Sequence, residues 1–163
     1  MELCNLMEIE PISLGGWNPY DLRKKCGANP LCYDFSAVTK FLKQPSVMSA
    51  LGVTGHTWQQ CNRLVNMAFA TAGDWMKNYQ TQIPDLLADG KNVLIYAGDQ
   101  DFICNWLGNQ AWTLAMDWPG KDAFNAAPIK DWKGANGTTA GKVRTAKSGG
   151  EFTFLQVHLA GHM

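Results

Sequence analysis

Two hydrophobic runs constrain the fold of this chain most, because each ends at polar side chains that can perform chemistry. The run VLIYAG at residues 93–98 is short, contains β-branched residues, is apolar on both faces and leads into Asp99 and Asp101. The run FTFLQVHL at residues 152–159 ends close to His162. Such runs predict strands, and apolarity on both faces predicts a strand buried inside a parallel sheet.

Helical patterns surround the two strands. Helix, buried strand, helix and further strand is the order of an α/β sheet with right-handed crossovers. In such sheets chemistry collects at the carboxyl ends of the strands, so we expect Asp99, Asp101 and His162 at one edge. The predicted helices span 36–43, 46–51, a stretch from 62 interrupted at Gly73, a stretch from 74 to 90 with a kink at Pro84, and 104–116; residues 1–34 are predicted to be irregular, and 117–150 to be turn-rich with a short strand around 142–145.

Composition narrows the class of protein. At 163 residues, with 46% hydrophobic and 17% charged residues, the chain is expected to form one globular domain with a real core. Fourteen basic and fourteen acidic residues leave no net charge, which argues against nucleic acid or an anionic membrane as the main partner. Neither a signal peptide nor a membrane span is predicted.

The five cysteines raise the question of compartment. Cys26 and Cys32 flank the short polar loop CGANPLC, whose Gly and Pro suit a tight turn closed by a local disulfide. Cys4, Cys61 and Cys104 cannot all pair with one another, so a secreted protein would keep a free thiol or a partner outside the chain. The alternative is five reduced cysteines in a cytosolic protein.

A glycosylation sequon supports the secretory pathway weakly. Asn136 opens the sequence Asn-Gly-Thr within the loop-like stretch GANGTTAG, where a glycan would be tolerated. Because sequons often arise by chance, this one only shifts the balance toward the secretory pathway.

An acid and a histidine at one sheet edge could form a catalytic relay. The acid orients the imidazole and stabilises its cation, and the imidazole takes a proton from a nucleophile. The order of acid before histidine, with a nucleophile earlier still, is that of the α/β-hydrolases. The alternative is ordinary structure, because a Gly-Asp-x-Asp loop is often a solvated turn.

Longer motifs resemble the serine carboxypeptidases, the family of carboxypeptidase Y and lysosomal cathepsin A. The stretch YAGDQDFICNWLGNQAW resembles their acid loop, and FTFLQVHLAGHM resembles their histidine segment. The resemblance extends through NPYDLRKKCGANPLCYDFSAVTKFLKQPSVMSALGV and AGDWMKNY, which is nearly the whole chain. It implies a partial α/β-hydrolase fold, with a disulfide-pinned cap region of short helices at 1–60 and the C-terminal part of the core at 61–163.

The resemblance also implies roles for single residues. In the acid loop the second acid belongs to the triad, which selects Asp101 over Asp99, and His162 would be the general base. The pocket for the side chain before the scissile bond would be lined by Trp75, Ile103 and Cys104. The pocket for the departing C-terminal residue would be lined by Tyr20, Tyr33 and Met163. The alternatives are that Trp75 and Tyr33 are core aromatics and that Cys104 is an inert buried thiol.

The family pattern assigns the cysteines as well. Cys26 and Cys32 match a local disulfide, and Cys104 matches an unpaired thiol beside the site. Cys61 matches a cysteine whose partner lies far upstream, and Cys4 matches one paired within the missing part of the cap.

The departures from the family limit what this chain can do by itself. No Gly-x-Ser-x-Gly elbow occurs in the sequence, and Ser13, Ser36, Ser46, Ser49 and Ser148 all lack that setting. The chain therefore resembles the C-terminal portion of a serine carboxypeptidase. Without the serine elbow, this portion is expected to be inactive by itself. No metal or other cofactor is expected, because ligand spacings such as His-Glu-x-x-His are absent.

Two hypotheses about function remain open. In the first, the intact protein removes C-terminal residues from peptides and proteins in a lysosome, a vacuole or the extracellular space; an acyltransferase with the same triad is a variant. In the second, the chain acts without catalysis, through association with a Ser-containing chain or with copies of itself as a homo-oligomer.

Overall fold

The computed structural model describes residues 5–29 and 31–163. Within that part a π-helical turn at Asn5–Ile9 precedes the first α-helix, and 3₁₀ turns occupy Asp74–Met76 and Tyr79–Gln82. The α-helices are Glu10–Leu14 (α1), Ser36–Leu42 (α2), Pro45–Ala50 (α3), Arg63–Thr71 (α4), Ile83–Ala88 (α5), Trp106–Ala115 (α6) and Lys121–Ala126 (α7). The strands are Val93–Gly98 (β1), Lys130–Lys133 (β2), Thr139–Ser148 (β3) and Gly150–Val157 (β4). None of the helices in these residues combines the length and the apolarity that crossing a bilayer requires.

The described chain divides into two compact units. Cys26–Lys77 forms the helical unit, which contains α2, α3 and α4. Residues 5–25 together with Asn78–Met163 form the sheet unit, which contains all four strands. The boundary expected at residue 60 of this chain, between a cap region and the hydrolase core, stays a prediction.

The sheet brings together the two strands that the sequence singled out. The strand order is β1-β4-β3-β2, with β1 parallel to β4 and the other neighbours antiparallel. The register pairs Gly98 with Val157, so both strands end at the same edge. The predicted α/β class and the shared edge are therefore confirmed.

A tight turn joins β3 to β4. Gly149 adopts a φ of +78°, and a Cβ at this position would meet the backbone carbonyl of Leu87. Only glycine fits such a turn without strain, because it lacks the Cβ that both the conformation and the neighbouring backbone exclude.

The hydrophobic core lies where α5, α6 and α7 pack against the strands. Trp118 and Phe124 both contact Phe152, with ring centroids 5.5 and 5.0 Å away. Each fully buried large apolar side chain contributes about 1.5–3 kcal/mol relative to its exposed state. The buried cluster comprises Leu87, Met116, Trp118, Phe124, Phe152 and Phe154.

The prediction that β1 is buried on both faces is wrong for the described chain. Val93 and Ile95 pack against the core, but Leu94 and Tyr96 on the other face are 54% and 70% exposed. The reason is that β1 is an edge strand, with β4 on one side and no second neighbour among the residues described.

The turn-rich segment 117–150 holds more regular structure than its composition predicted. It contains α7 and β2, and the short strand predicted at 142–145 is the ten-residue β3. Gly and Pro in this segment mark the turns between these elements, and Phe124 anchors α7 in the core.

Two further predictions need correction. Residues 1–34 are not irregular throughout, because α1 forms with Pro11 in its first turn, where a missing N–H costs no hydrogen bond. The helix predicted from 74 to 90 is instead two 3₁₀ turns followed by α5, which begins next to Pro84. Trp75 and Tyr79 therefore share no helical face, and both are exposed.

Candidate active site

Asp101 and His162 form a hydrogen-bonded pair at the shared strand edge. Nδ1 of His162 lies 2.9 Å from Oδ2 of Asp101. The carboxylate is almost fully buried, with 3% of its side chain exposed, whereas 38% of the imidazole is exposed. An ionised carboxylate only accepts hydrogen bonds, so this contact requires the proton on Nδ1, and in that neutral tautomer Nε2 can accept a proton. The predicted juxtaposition of the two residues is confirmed.

The loop after β1 fixes the acid. The second carboxylate oxygen of Asp101 accepts a hydrogen bond from the backbone N–H of Cys104 at 3.2 Å. The N–H groups of Phe102 and Ile103 both donate to the carbonyl of Pro19 at 3.1 Å. Both oxygens of the buried carboxylate are thus partnered, which offsets the cost of removing the charge from water.

The segment after β4 fixes the histidine. Its backbone N–H donates to the carbonyl of Tyr20 at 2.8 Å, and the Tyr20 ring lies tilted against the imidazole with centroids 5.5 Å apart. The N–H of Gln100 donates to the carbonyl of Ala160 at 2.9 Å. The backbone at residue 161 can lie this close to the Tyr20 carbonyl because the residue is glycine; a Cβ there would lie 2.5 Å from the carbonyl oxygen.

A cavity of about 330 Å³ opens beside the pair. Cys104 lines it as a free thiol. Desolvation of the sulfur, and secondarily the negative charge of Asp101, raise the pKa of the Cys104 thiol above its usual range. The thiol is therefore held in its protonated form, and it contributes polarisable surface to the cavity. The lining residues are Tyr96, Ala97, Gly98, Asp101, Cys104, Val157, Ala160, Gly161 and His162.

The same three side chains could also bind a metal ion. Ligand atoms of Asp101, Cys104 and His162 all lie within 4.8 Å of one another. A metal held between them would compete with the hydrogen bond from His162 to Asp101 and would require the thiol to lose its proton. Metal binding and a working relay are thus alternatives at this place, and the absence of a metal stays a prediction.

The predicted substrate-binding residues fall into both units. Ile103 and Met163 belong to the sheet unit, and both are exposed. Ile103 lies two residues after Asp101, and Met163 directly follows His162. Tyr33 and Trp75 belong to the helical unit. Tyr33 packs edge-on against Phe35 with ring centroids 6.4 Å apart, whereas the indole of Trp75 is 60% exposed. Their roles in binding stay predictions.

The cysteines and the sequon complete the comparison with the sequence. The Cys26–Cys32 disulfide is present as predicted, and Cys61 and Cys104 are free thiols. Cys4 lies outside the described residues. Asn136 is exposed in the turn between β2 and β3, where its side chain accepts hydrogen bonds from Thr138, and its glycosylation stays a prediction.

Sequence reasoning missed a second polar cluster beside the Asp101–His162 pair. Asp21 is buried and pairs with Arg23, and Asp99 accepts a hydrogen bond from the N–H of Leu159. The signal was available in NPYDLRKK, where one acid stands directly before a run of basic residues in a turn. The sequence alone does not reveal the contact between Arg23 and Leu159, because only the fold brings these two residues together.

Comparisons with known proteins agree with the motifs. A profile of the family described as serine carboxypeptidase matches residues 6–163. The chain belongs to this family. It is 47% identical to carboxypeptidase Y homolog A of Arthroderma gypseum and 47% identical to carboxypeptidase Y of Candida albicans, with 98% of the chain aligned in each case.

The chain spans about a third of the length of these relatives, 30% and 29% respectively. The crystal structure of Kex1Δp, a prohormone-processing carboxypeptidase from Saccharomyces cerevisiae, matches 89% of the chain with a TM-score of 0.66. Identity to that protein is 24%, and the match covers 32% of it, so it shows the fold alone. The partial α/β fold expected for the chain is confirmed.

Proposed function

We propose that this chain supplies the acid and the general base of a serine-type carboxypeptidase. Asp101 is the acid of the triad, His162 is the base, and the nucleophilic serine comes from polypeptide outside these 163 residues. The observation that carries the proposal is the 2.9 Å contact between Nδ1 of His162 and the buried carboxylate. Membership of the serine carboxypeptidase family supports the same assignment.

The geometry is suited to moving a proton at Nε2. Because Nδ1–H is held by Asp101, the free lone pair on Nε2 can take the proton of a serine hydroxyl as its oxygen attacks the substrate carbonyl carbon. The carboxylate stabilises the imidazolium that forms. His162 then returns the proton to the nitrogen of the departing C-terminal residue, and a water molecule hydrolyses the acyl-enzyme by the same steps.

The surroundings of the pair provide the start of a binding surface. Ile103 and Cys104 follow the acid along the chain and present apolar surface, and Cys104 lines the cavity beside the imidazole. With Trp75 they would contact the side chain before the scissile bond. Tyr20, which packs against the imidazole, would contact the departing residue together with Tyr33 and Met163.

We place the intact enzyme in a lysosome or vacuole, or outside the cell. The support is the Cys26–Cys32 disulfide, because disulfides persist in oxidising compartments and are rare in the cytosol. The exposed sequon at Asn136 is consistent with passage through the secretory pathway.

An association role is the second candidate, and one observation favours it. β1 is an edge strand whose outward face exposes Leu94 and Tyr96, and such an edge is a template for a further strand. The occupant that fits the family is the Ser-containing portion, which would complete the triad as it covers this face. An acyltransferase would use the same triad and differs only in the acceptor of the acyl group.

Hydrolysis of a blocked dipeptide tests the proposal. The 163-residue chain alone should be inactive, and a form that includes the Ser-containing portion should release the C-terminal residue. In that form His162→Ala should lower kcat by about 10⁴-fold or more, because the serine loses its base. His158→Ala is the matched control, since it removes another histidine from the same segment and should leave kcat within a factor of about two. Full activity of His162→Ala would refute the assignment.

A further inference from the structure

The turn that carries the histidine has an unusual backbone. β4 ends at Val157, and Leu159 then adopts a φ of +53°, in the left-handed region that residues other than Gly, Asn and Asp seldom adopt. Such a conformation persists only where the surroundings hold it in place. His162 follows three residues later, so the conformation at Leu159 sets the direction from which the imidazole reaches Asp101.

Side chains from two distant segments hold both backbone groups of Leu159. Its N–H donates to Oδ1 of Asp99 at 2.8 Å, from the loop after β1. Its carbonyl accepts from Nη1 of Arg23 at 3.0 Å, from the turn that precedes the disulfide loop. The strained residue is therefore held on one side by an acid and on the other by a guanidinium group.

A buried carboxylate fixes the guanidinium in turn. Arg23 donates from Nε to Oδ1 of Asp21 and from Nη2 to Oδ2, both at 2.8 Å, which is the two-point geometry that holds a guanidinium plane most rigidly. Only 1% of Asp21 is exposed. Lys24 adds a second cation at 3.3 Å, and the backbone N–H of Arg23 also donates to Oδ1. The remaining nitrogen, Nη1, is thereby aimed at Leu159.

We propose that Asp21, Arg23 and Asp99 are positioning residues that lock the Leu159 turn and so hold the His162 ring against Asp101. This inference rests on the proposed function of the Asp101–His162 pair. It also gives a role to Asp99, the first acid of the GDQD loop, which the relay itself does not use. Asp99 and Arg23 act through the backbone of residue 159, and Asp21 acts through the guanidinium of Arg23.

The test must separate positioning from ordinary stabilisation. The readout is the His162 Nδ1–H resonance, followed by NMR on ¹⁵N-histidine-labelled protein of this sequence. The wild-type chain should show the resonance of a hydrogen-bonded Nδ1–H at His162. In Arg23→Ala this resonance should disappear, or its linewidth should increase at least about fivefold. Arg144→Ala is the matched control, because Arg144 also donates to a backbone carbonyl, that of Asn125 at 3.3 Å, away from the Leu159 turn. The control should keep the resonance even at an equal loss of melting temperature.

A conservative pair of variants at Asp99 sharpens the test and replaces Arg23→Ala if that variant does not fold. Asp99→Ala removes the acceptor of the Leu159 N–H and should weaken the resonance, whereas Asp99→Asn retains an acceptor oxygen and should restore it. In the Ser-containing protein, Asp99→Ala should lower kcat about tenfold with KM within twofold, and Asp99→Asn should recover most of it. Retention of the resonance and of kcat in Asp99→Ala would overturn the proposal.

The two proposals fail in distinguishable ways. If His162→Ala leaves hydrolysis intact, the proposed function fails, whatever happens to the resonance of the positioning variants. If His162→Ala abolishes hydrolysis but Arg23→Ala and Asp99→Ala leave both the resonance and kcat unchanged, the relay stands and the positioning role is refuted.

Discussion

The two compact units of the described chain differ in what holds them together. In the sheet unit, a cluster of buried aromatic and aliphatic side chains joins three helices to the strands. In the helical unit, α2, α3 and α4 contain no buried residue, and Leu64, Met67 and Phe69 of α4 are at least half exposed. The Cys26–Cys32 disulfide is its covalent restraint.

The difference agrees with the place that we propose for the chemistry. A catalytic pair must be held within a fraction of an ångström, and only a packed core with partnered polar groups supplies that rigidity. Asp101 and His162 both belong to the sheet unit, at the ends of two paired strands. The residues predicted to bind the substrate are divided between the two units. Tyr33 and Trp75 belong to the helical unit, which is the less densely packed of the two.

The largest expected effect is the loss of a core aromatic. Phe152 is fully buried between two other rings, so Phe152→Ala should lower the free energy of unfolding by about 3–5 kcal/mol. Phe41→Ala in α2 is the matched control; its ring is 56% exposed, and the cost should stay below about 1 kcal/mol. Urea denaturation followed by tryptophan fluorescence measures both. Equal losses would contradict the contrast between the units.

The next effect is electrostatic and depends on pH. The hydrogen bonds from Arg23, opposed in part by burial, hold the pKa of Asp21 far below its ordinary value of 3.8. Because the folded pKa is lowered, the stabilisation is complete above the unfolded-state pKa and is lost as the pH falls below it. Asp21→Asn should cost about 1–3 kcal/mol at pH 7. It should also flatten the decline in stability between about pH 5 and pH 2, relative to the wild type, in urea titrations at each pH. An unchanged acid decline would show that Asp21 is not the group responsible.

Reduction of the disulfide should act on the helical unit. Opening a loop of this length is expected to cost about 2 kcal/mol by the chain-entropy model. Cys26→Ser combined with Cys32→Ser should speed amide hydrogen exchange in α2 and α3, while exchange in β3 and β4 stays unchanged. A matched loss of protection in the strands would mean that the two units unfold as one.

The smallest expected effect is a difference in alkylation rate between the thiols of Cys61 and Cys104. Cys61 in the helical unit and Cys104 in the sheet unit are both free, but desolvation and Asp101 raise the pKa of Cys104. Since the thiolate is the reactive form, iodoacetamide at pH 8 should alkylate Cys61 several-fold faster than Cys104. Asp101→Asn should narrow the gap, because it removes the nearby negative charge. Peptide mass spectrometry of time points measures both rates, and faster labelling of Cys104 would contradict the assignment.

The sequence predicted the elements whose cause is local. The strand at 93–98 and the helices that begin near residues 36 and 45 were found because a β-branched run, helical spacing and a proline in the first turn act over a few residues. Because strand ends in a parallel sheet share an edge, Asp99, Asp101 and His162 were predicted to lie together, and the resemblance to the serine carboxypeptidases selected Asp101 as the partner of His162.

What the sequence did not predict depends on distant contacts. The exposed face of β1 is decided by the absence of a second neighbouring strand in the described sheet, which no local pattern records. The hydrogen bond from Arg23 to the carbonyl of Leu159 joins residues that are 136 positions apart. It could not be predicted before the fold placed the two residues together. The hydrogen bond between Asp99 and Leu159 was likewise hidden, because the partner of Asp99 is a backbone group that any residue could provide.

The tautomer of His162 tests the central claim most directly. ¹⁵N-histidine NMR of the wild-type chain should show the proton on Nδ1, hydrogen-bonded, with Nε2 bare. In Asp101→Ala that signal should vanish, while the signals of His56 and His158 stay unchanged. A wild-type His162 with its proton on Nε2, or an Nδ1–H that is indifferent to the loss of Asp101, would contradict the account.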